Sequence, residues 1–180
     1  MSISTRHGDD GSTGLLFGQR VPKDHPQVEA VGACDELNVA LGAVKPHLGR
    51  SPRDDEIRAL ILATQKNLVA LMGEVACAED DRERYAASKF EKLAPADVAR
   101  LDEAVAGLEA RGLKFHGWAT PGATALASAM ELARTAARRT ERRLVALPAH
   151  GRSVRPELLQ FLNRLSDVLW LLAREAEGRE

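Results

Sequence analysis

Residues 134–143 read RTAARRTERR, with five arginines and one glutamate in a 180-residue chain whose formal net charge is −1. That places about +4 of charge on roughly three turns of helix. Arg134, Arg138 and Arg142 are spaced by four and share one face, and Arg139 and Arg143 fall on the adjacent one. Guanidinium forks stay charged and match phosphate oxygens two at a time, so the pattern suits an anion site; it also suits a solvated basic face. A second candidate is TRHGDDGSTG, Thr5–Gly14. Its glycines free the backbone to turn N–H groups toward one point, and Ser12 and Thr13 add hydroxyls, as in a phosphate-holding nest. Walker A spacing is absent. Lys23 lies close enough in sequence to add a point charge. Two further polar features sit among apolar residues: Asn163 and Arg164 in FLNRLSD, and Asp35 in DELN. Asp35, near Val31, Leu37 and Leu41, reads as a buried ion-pair partner for the arginines.

Helices must position these groups. Aromatic residues are only 4% of the chain, while Ala, Leu, Arg and Glu dominate, a composition that favours helix over sheet. Residues 1–25 form a glycine-punctuated polar loop around Leu15-Leu16-Phe17, with room for a short strand. Pro26 suits the first turn of a helix that runs to about His47. A second helix starts near Ser51-Pro52 and carries Ile57, Leu60, Ile61, Thr64, Leu68, Leu71, Met72 and Val75 at helical spacing. Asp80 to Ala94 lacks a stripe and reads as a connector. The third helix runs from Pro95 to Gly112, the fourth from Pro121 to about Leu147, and the fifth from Pro156 with Leu158, Leu162, Leu165, Leu169 and Leu172 on one side. The expectation is all-α: a five-helix up-down bundle, residues 26–180, behind an N-terminal loop, residues 1–25, in a single domain.

Composition excludes several classes. Near-neutral charge argues against a dedicated nucleic-acid or membrane-surface protein, and there is no run of 18 apolar residues. The opening MSISTRHGDD lacks the apolar core of a signal peptide, and Asp9 and Asp10 do not suit a transit peptide, so a cytoplasmic protein is expected. Cys34 and Cys77 lack metal-site spacing and read as small buried hydrophobes in a reducing compartment. No histidine pair has metal-site spacing, no nucleotide or hydrolase motif occurs, and no protein nucleophile stands out.

Four ordered segments together resemble the PduO-type ATP:cob(I)alamin (corrinoid) adenosyltransferases: TRHGDDGSTGLLFGQRVPKD, VEAVGACDELNVALG, PGATALASAMELARTAARRTERR and FLNRLSDVLWLLAR. The resemblance implies a helical bundle that assembles as a homotrimer, with active sites between subunits. It implies that ATP is closed over by an N-terminal loop holding Thr5, Arg6, His7, Gly8, Thr13, Gly14 and Lys23, and is met by Arg138, Arg139, Thr140, Glu141, Arg142 and Asn163. Asp35 and Arg134 match an intersubunit salt bridge, and Trp118 stands where the family places an aromatic residue near the lower face of the corrin. The implied reaction moves the 5′-deoxyadenosyl group of ATP to cob(I)alamin and releases triphosphate, with Mg²⁺ and without a metal held by the protein alone. A flavin-dependent reductase and an adenosylcobalamin-dependent mutase are the implied partners. Three residues depart from the family pattern: Ala123 where a second glycine is usual, Glu131 where His is common, and Trp118 where Phe is usual. Two other expectations compatible with the residues are a non-catalytic carrier of adenosylcobalamin and a basic-helix nucleic-acid module.

Overall fold

The computed structural model describes residues 4, 6–113 and 118–178. The chain begins with a small hairpin, β1 (Ser12–Gly14) and β2 (Arg20–Pro22), paired antiparallel with Thr13 opposite Val21. Gly18, with φ +98°, makes the turn between them. Six helices follow: α1 (Pro26–Val44), α2 (Pro52–Val75), α3 (Arg82–Ala86), α4 (Pro95–Glu109), α5 (Ala125–Ala146) and α6 (Pro156–Glu177).

Local chemistry sets the ends. Proline stands in the first turn of α1, α2, α4 and α6, where its missing N–H costs nothing. Ser51 Oγ accepts from Asp54 N at 3.1 Å while Asp54 Oδ2 accepts from Ser51 N at 3.3 Å, a capping box on α2. Thr124 Oγ1 accepts from Ala127 N at 3.0 Å and starts α5. Helix α5 therefore begins at Ala125 and not at Pro121, because Gly122 takes φ +117° and the Thr124 cap opens the helix only after it. Helix α4 stops at Glu109, with Gly112 in the left-handed region at φ +67° just beyond. The expected connector holds a one-turn helix, α3, whose Tyr85 is buried with its hydroxyl 3.2 Å from the Ala70 carbonyl and 3.3 Å from that of Glu91.

Five long helices form the bundle. Helix α5 lies between α1 and α6, α6 also packs on α4, and α1 packs on α2. Ala127, Ala129, Ala133, Ala136 and Ala137 are buried on α5, so the neighbouring helices approach closely. Phe161, Leu162, Leu37, Leu41, Leu68 and Leu144 fill the layers between. Each fully buried side chain of this size stabilises the fold by about 1.5–3 kcal/mol. Thr140 Oγ1 donates to the Ala33 carbonyl at 2.8 Å, a polar pin in the α1–α5 seam. Among the described residues no single helix is long and apolar enough to cross a membrane.

Candidate active site

The N-terminal loop is a folded object. Gly11 N donates to the Gly8 carbonyl and Asp9 N to the Arg6 carbonyl, both at 3.2 Å. Arg6 itself takes φ +59°, a left-handed conformation unusual for a residue with a side chain. Asp10 Oδ1 accepts from Ser12 N at 2.9 Å and from Ser12 Oγ at 2.7 Å. These bonds to Ser12, with Arg20 nearby, hold the Asp10 carboxyl below its ordinary range. Arg20 Nη2 ties the turn together: it donates to the His7 carbonyl at 2.7 Å, to Asp10 Oδ1 at 3.3 Å and to Ser12 Oγ. Lys23 N donates to the Gly11 carbonyl at 2.9 Å. A Cβ on Gly8 would lie 3.1 Å from Lys23 Nζ, tight enough that the ammonium would have to shift by a few tenths of an ångström.

The hairpin is moored to the end of α2. Leu16 N donates to the Ala76 carbonyl at 2.9 Å, and Gln19 Nε2 reaches Asp81 Oδ2. Phe17 packs against Phe90 with ring centroids 6.4 Å apart, and the Arg84 guanidinium carbon lies 4.1 Å from the Phe17 ring centre. Gln27 Nε2 donates to the Val75 and Cys77 carbonyls, which locks the start of α1 to the same place.

The α5 arginines divide into two groups. Arg134 is held by Glu131, Arg139 by Glu36 of α1, and Arg143 by Glu29 of α1 at 3.0 Å. Arg138 and Arg142 are exposed and make no hydrogen bond or ion pair among the described residues. Glu141 between them is likewise unpaired. Two like charges four residues apart, neither engaged by a carboxylate among the described residues, are mildly destabilising in the free chain. They present two unpaired guanidinium groups on one face of α5.

The sequence reading placed Asp35 in a buried pair with α5, and within one chain this is corrected. Asp35 is exposed, and the α1 carboxylates that meet α5 arginines are Glu29 and Glu36. The buried positions at that turn belong to Cys34 and Leu37. Asn163 is half-buried on α6, where its Oδ1 accepts from Arg164 Nη1 at 3.0 Å. Trp118 is 94% exposed, so the whole indole is presented to solvent. Thr13 and Gly14 lie in β1, and Thr140 is buried with its hydroxyl spent on Ala33. Thr5 lies outside the described residues. No hydrogen bond or ion pair joins residues 6–14 to the α5 arginines among the described residues. The loop and the arginine face are two separate candidate half-sites on one chain.

Sequence reasoning missed Arg20, Glu29 and Glu36. It also missed a cavity of about 500 Å³ lined by Glu74, Cys77, Tyr85, Lys92, Arg152 and Arg155. The ionic groups there satisfy one another: Arg155 grips both oxygens of Glu74 at 2.7 Å, and Arg152 donates to the carbonyls of Cys77 and Glu74. Among the described residues no cluster of three or more His, Cys, Asp and Glu side chains could hold a metal ion.

A helical bundle with a glycine-turned hairpin at one end and unpaired arginines along a central helix has known counterparts. The cobalamin adenosyltransferase family model matches residues 3–176, and the chain belongs to that family. The corrinoid adenosyltransferase PduO of Salmonella typhimurium is 40% identical over 181 residues, covering 99% of this chain and 50% of the relative. The corrinoid adenosyltransferase of Bacillus subtilis is 34% identical over 179 residues, covering 99% of this chain and 88% of the relative. A variant PduO-type ATP:corrinoid adenosyltransferase from Lactobacillus reuteri, complexed with cobalamin and ATP, superposes with a TM-score of 0.84 at 30% identity, covering 98% of this chain and 91% of that one. The chain spans about half the length of the Salmonella typhimurium and Citrobacter freundii relatives.

Proposed function

We propose that this chain transfers the 5′-deoxyadenosyl group of ATP to cob(I)alamin, forming adenosylcobalamin and releasing triphosphate. The observation that carries the reading is the pair of unpartnered arginines, Arg138 and Arg142, on a helix whose other three cluster arginines are already neutralised by carboxylates. A helix built for non-specific contact with nucleic acid would not neutralise three of its five cations. The cobalt of the substrate is the nucleophile, which accounts for the missing serine, cysteine or histidine nucleophile. A cobalt electron pair becomes the new bond to C5′ while the C5′–oxygen bond breaks, and the triphosphate departs with the electrons of that broken bond.

The protein's work is to hold C5′ in line and to stabilise the departing charge. Arg138 and Arg142 supply guanidinium forks. The N–H groups of the turn around Gly8, the Thr13 hydroxyl and the Lys23 ammonium supply the opposite side. Arg6, His7, Gly14, Arg139, Thr140 and Asn163 complete the nucleotide site in this reading, together with Thr5. The contribution of Thr140 is indirect, since its hydroxyl is committed to the α1–α5 seam. Mg²⁺ arrives with the nucleotide, and Glu141 is the unpaired carboxylate available to it beside phosphate oxygens and water. Trp118 offers an apolar wall for the lower face of the corrin. Such a wall excludes water and a lower ligand and so favours reduction of cobalt(II).

The two half-sites meet when the loop of one copy covers α5 of another, as a homotrimer with sites between subunits allows. Leu132 and Val145 on α5, which carries the arginines, and Val39 on α1, which packs on it, support this, since they are exposed apolar residues. In that assembly Asp35 of one copy pairs with Arg134 of the next, so Asp35→Asn should weaken corrinoid binding or assembly. A reductase that delivers cob(I)alamin and a mutase that uses the product are the expected partners. The two free, buried cysteines fit a reducing cytoplasm.

The test is incubation of the purified protein with ATP, Mg²⁺ and chemically reduced cobalamin, followed by absorbance. Formation of adenosylcobalamin with equimolar triphosphate is expected. Tight binding of finished adenosylcobalamin with no turnover would replace the enzyme by a carrier.

A further inference from the structure

Arg174, close to the C-terminal end of α6, has a side chain only 3% exposed, and its Nη2 lies 2.9 Å from Oε1 of Glu131, itself 8% exposed. Glu177 Oε1 lies 3.0 Å from the same Nη2. Arg174 Nε and Nη1 are buried with no hydrogen-bond partner among the described residues, and the Trp170 ring centre lies 5.7 Å from the guanidinium carbon. A buried guanidinium with two unspent donors is an expensive way to fill space, since an apolar side chain of the same length would fill it at lower cost.

What the buried charge achieves is geometric. It anchors one oxygen of Glu131, and the other oxygen, Oε2, then accepts from Arg134 Nε at 2.6 Å. Arg134 is a quarter exposed and is held by its inner nitrogen. Its two Nη groups make no hydrogen bond among the described residues. The three side chains form a line from the core to the surface: Arg174, Glu131, Arg134. An arginine tethered at Nε has lost much of its rotamer freedom before any partner arrives, so less is lost when one docks.

We propose that Glu131 and Arg174 are positioning residues that present the Nη pair of Arg134 to a carboxylate on a second copy of the chain, and so set corrinoid affinity without touching the nucleotide. The proposal rests on the reading of Arg134 and Asp35 as a pair across subunits. It adds a source for the orientation of Arg134 and makes Glu131, a buried residue, a determinant of affinity.

The experiment compares Glu131→Gln, Arg134→Ala and the double variant with the unaltered protein. Cob(II)alamin affinity is measured by optical titration in the presence of ATP, and KM for ATP by turnover. Glu131→Gln should weaken cob(II)alamin binding about tenfold, with KM for ATP within about twofold, and should add nothing in the Arg134→Ala background, the non-additivity of residues acting as a unit. If Glu131→Gln fails to fold, Glu131→Gln with Arg174→Met removes both buried charges together and carries the same expectation. Unchanged cob(II)alamin affinity in the glutamine variant, beside a weakened Arg134→Ala, overturns the positioning role alone. Effects that add in the double variant do the same. An Arg134→Ala protein with normal affinity and normal assembly removes the intersubunit pair itself, and the proposal with it.

Discussion

Replacing Arg138 by alanine separates a catalytic arginine from a structural one, because the structure gives this side chain nothing to hold. Arg138 is exposed and has no hydrogen bond or ion pair to lose among the described residues. Its removal should therefore change stability by no more than about 0.5 kcal/mol. Relief of the like-charge pair with Arg142, worth roughly 0.2–0.5 kcal/mol, even favours a slight gain. The transition state is another matter. Charge builds on the triphosphate as the C5′–oxygen bond breaks, and a well-placed donor aimed at such charge is worth about 3–4 kcal/mol, or roughly 10²–10³ in rate. Adenosylation of reduced cobalamin under saturating ATP measures the rate, and urea unfolding followed by circular dichroism measures the fold. The expected result is a loss of at least about 10²-fold in turnover with an unchanged unfolding midpoint. Arg139→Ala is the comparison, a member of the proposed nucleotide site whose guanidinium is already shared with a carboxylate. Arg139 is half-exposed and already engaged by Glu36, so its loss should cost less than about tenfold in rate and well under 1 kcal/mol in stability. Turnover of Arg138→Ala within a few-fold of the unaltered protein would refute the argument. So would equal losses in the two variants, since the distinction between free and committed arginines would then mean nothing.

Three further outcomes follow from other parts of the molecule. Gly8→Ala should raise KM for ATP a few-fold with little change in unfolding midpoint, because the added Cβ would sit 3.1 Å from Lys23 Nζ and displace the ammonium from its position against the turn; steady-state kinetics decide it. Thr140→Val should cost about 1–2 kcal/mol in urea unfolding, since the buried hydroxyl bond to the Ala33 carbonyl is lost while side-chain shape is kept; an unchanged midpoint would count against the seam. Burial, with a smaller contribution from Asp35, pushes the Cys34 thiol up from 9.0 to about 12. A group whose proton is held more tightly in the folded state adds stability that is complete below its unfolded value and lost as pH rises toward the folded one. Stability should therefore fall between pH 9 and 12, a window shared with Tyr85, which burial raises from 10.0 to about 12. Cys34→Ala should make the fall shallower in unfolding curves taken across that range.

The bundle was legible because α2, α4 and α6 carry stripes of large apolar residues and every long helix has a proline or polar cap at its start, while α5 buries a face made mostly of alanine. Helix α3 was not legible, because one buried tyrosine anchors it through two carbonyls that only the folded chain brings near. Asp35 was misplaced for a reason that is purely helical. Leu37 lies two residues on, which is about 200° around the axis, so apolar neighbours in sequence put Asp35 on the opposite side and not in the core. Arg20 was invisible as a functional residue because its three acceptors, His7 O, Asp10 Oδ1 and Ser12 Oγ, converge only after the hairpin has turned the chain back on itself. The arginine cluster was legible as a cluster. Which of its members stay free was not, since that depends on Glu29 and Glu36 arriving from another helix.

The division of the α5 arginines also bears on why the proposed site belongs between copies. The hairpin is fixed to the end of α2 by Phe17, Leu16 and Gln19, so the loop is not free to swing onto α5 of its own chain without giving up those contacts. The free arginines stand on α5, where α1 spends its carboxylates on their neighbours and leaves Arg138 and Arg142 bare. In the proposed reading, a single chain carries the glycine turn and the free arginines without bringing them together. Val39 on α1 and Leu132 and Val145 on α5 are exposed, and in the proposed assembly a neighbouring copy covers them. On this reading, dilution below the assembly threshold should abolish turnover while leaving helical content intact. Activity per chain that stays constant through dissociation to monomers, followed by sedimentation, would place both halves of the site on one chain.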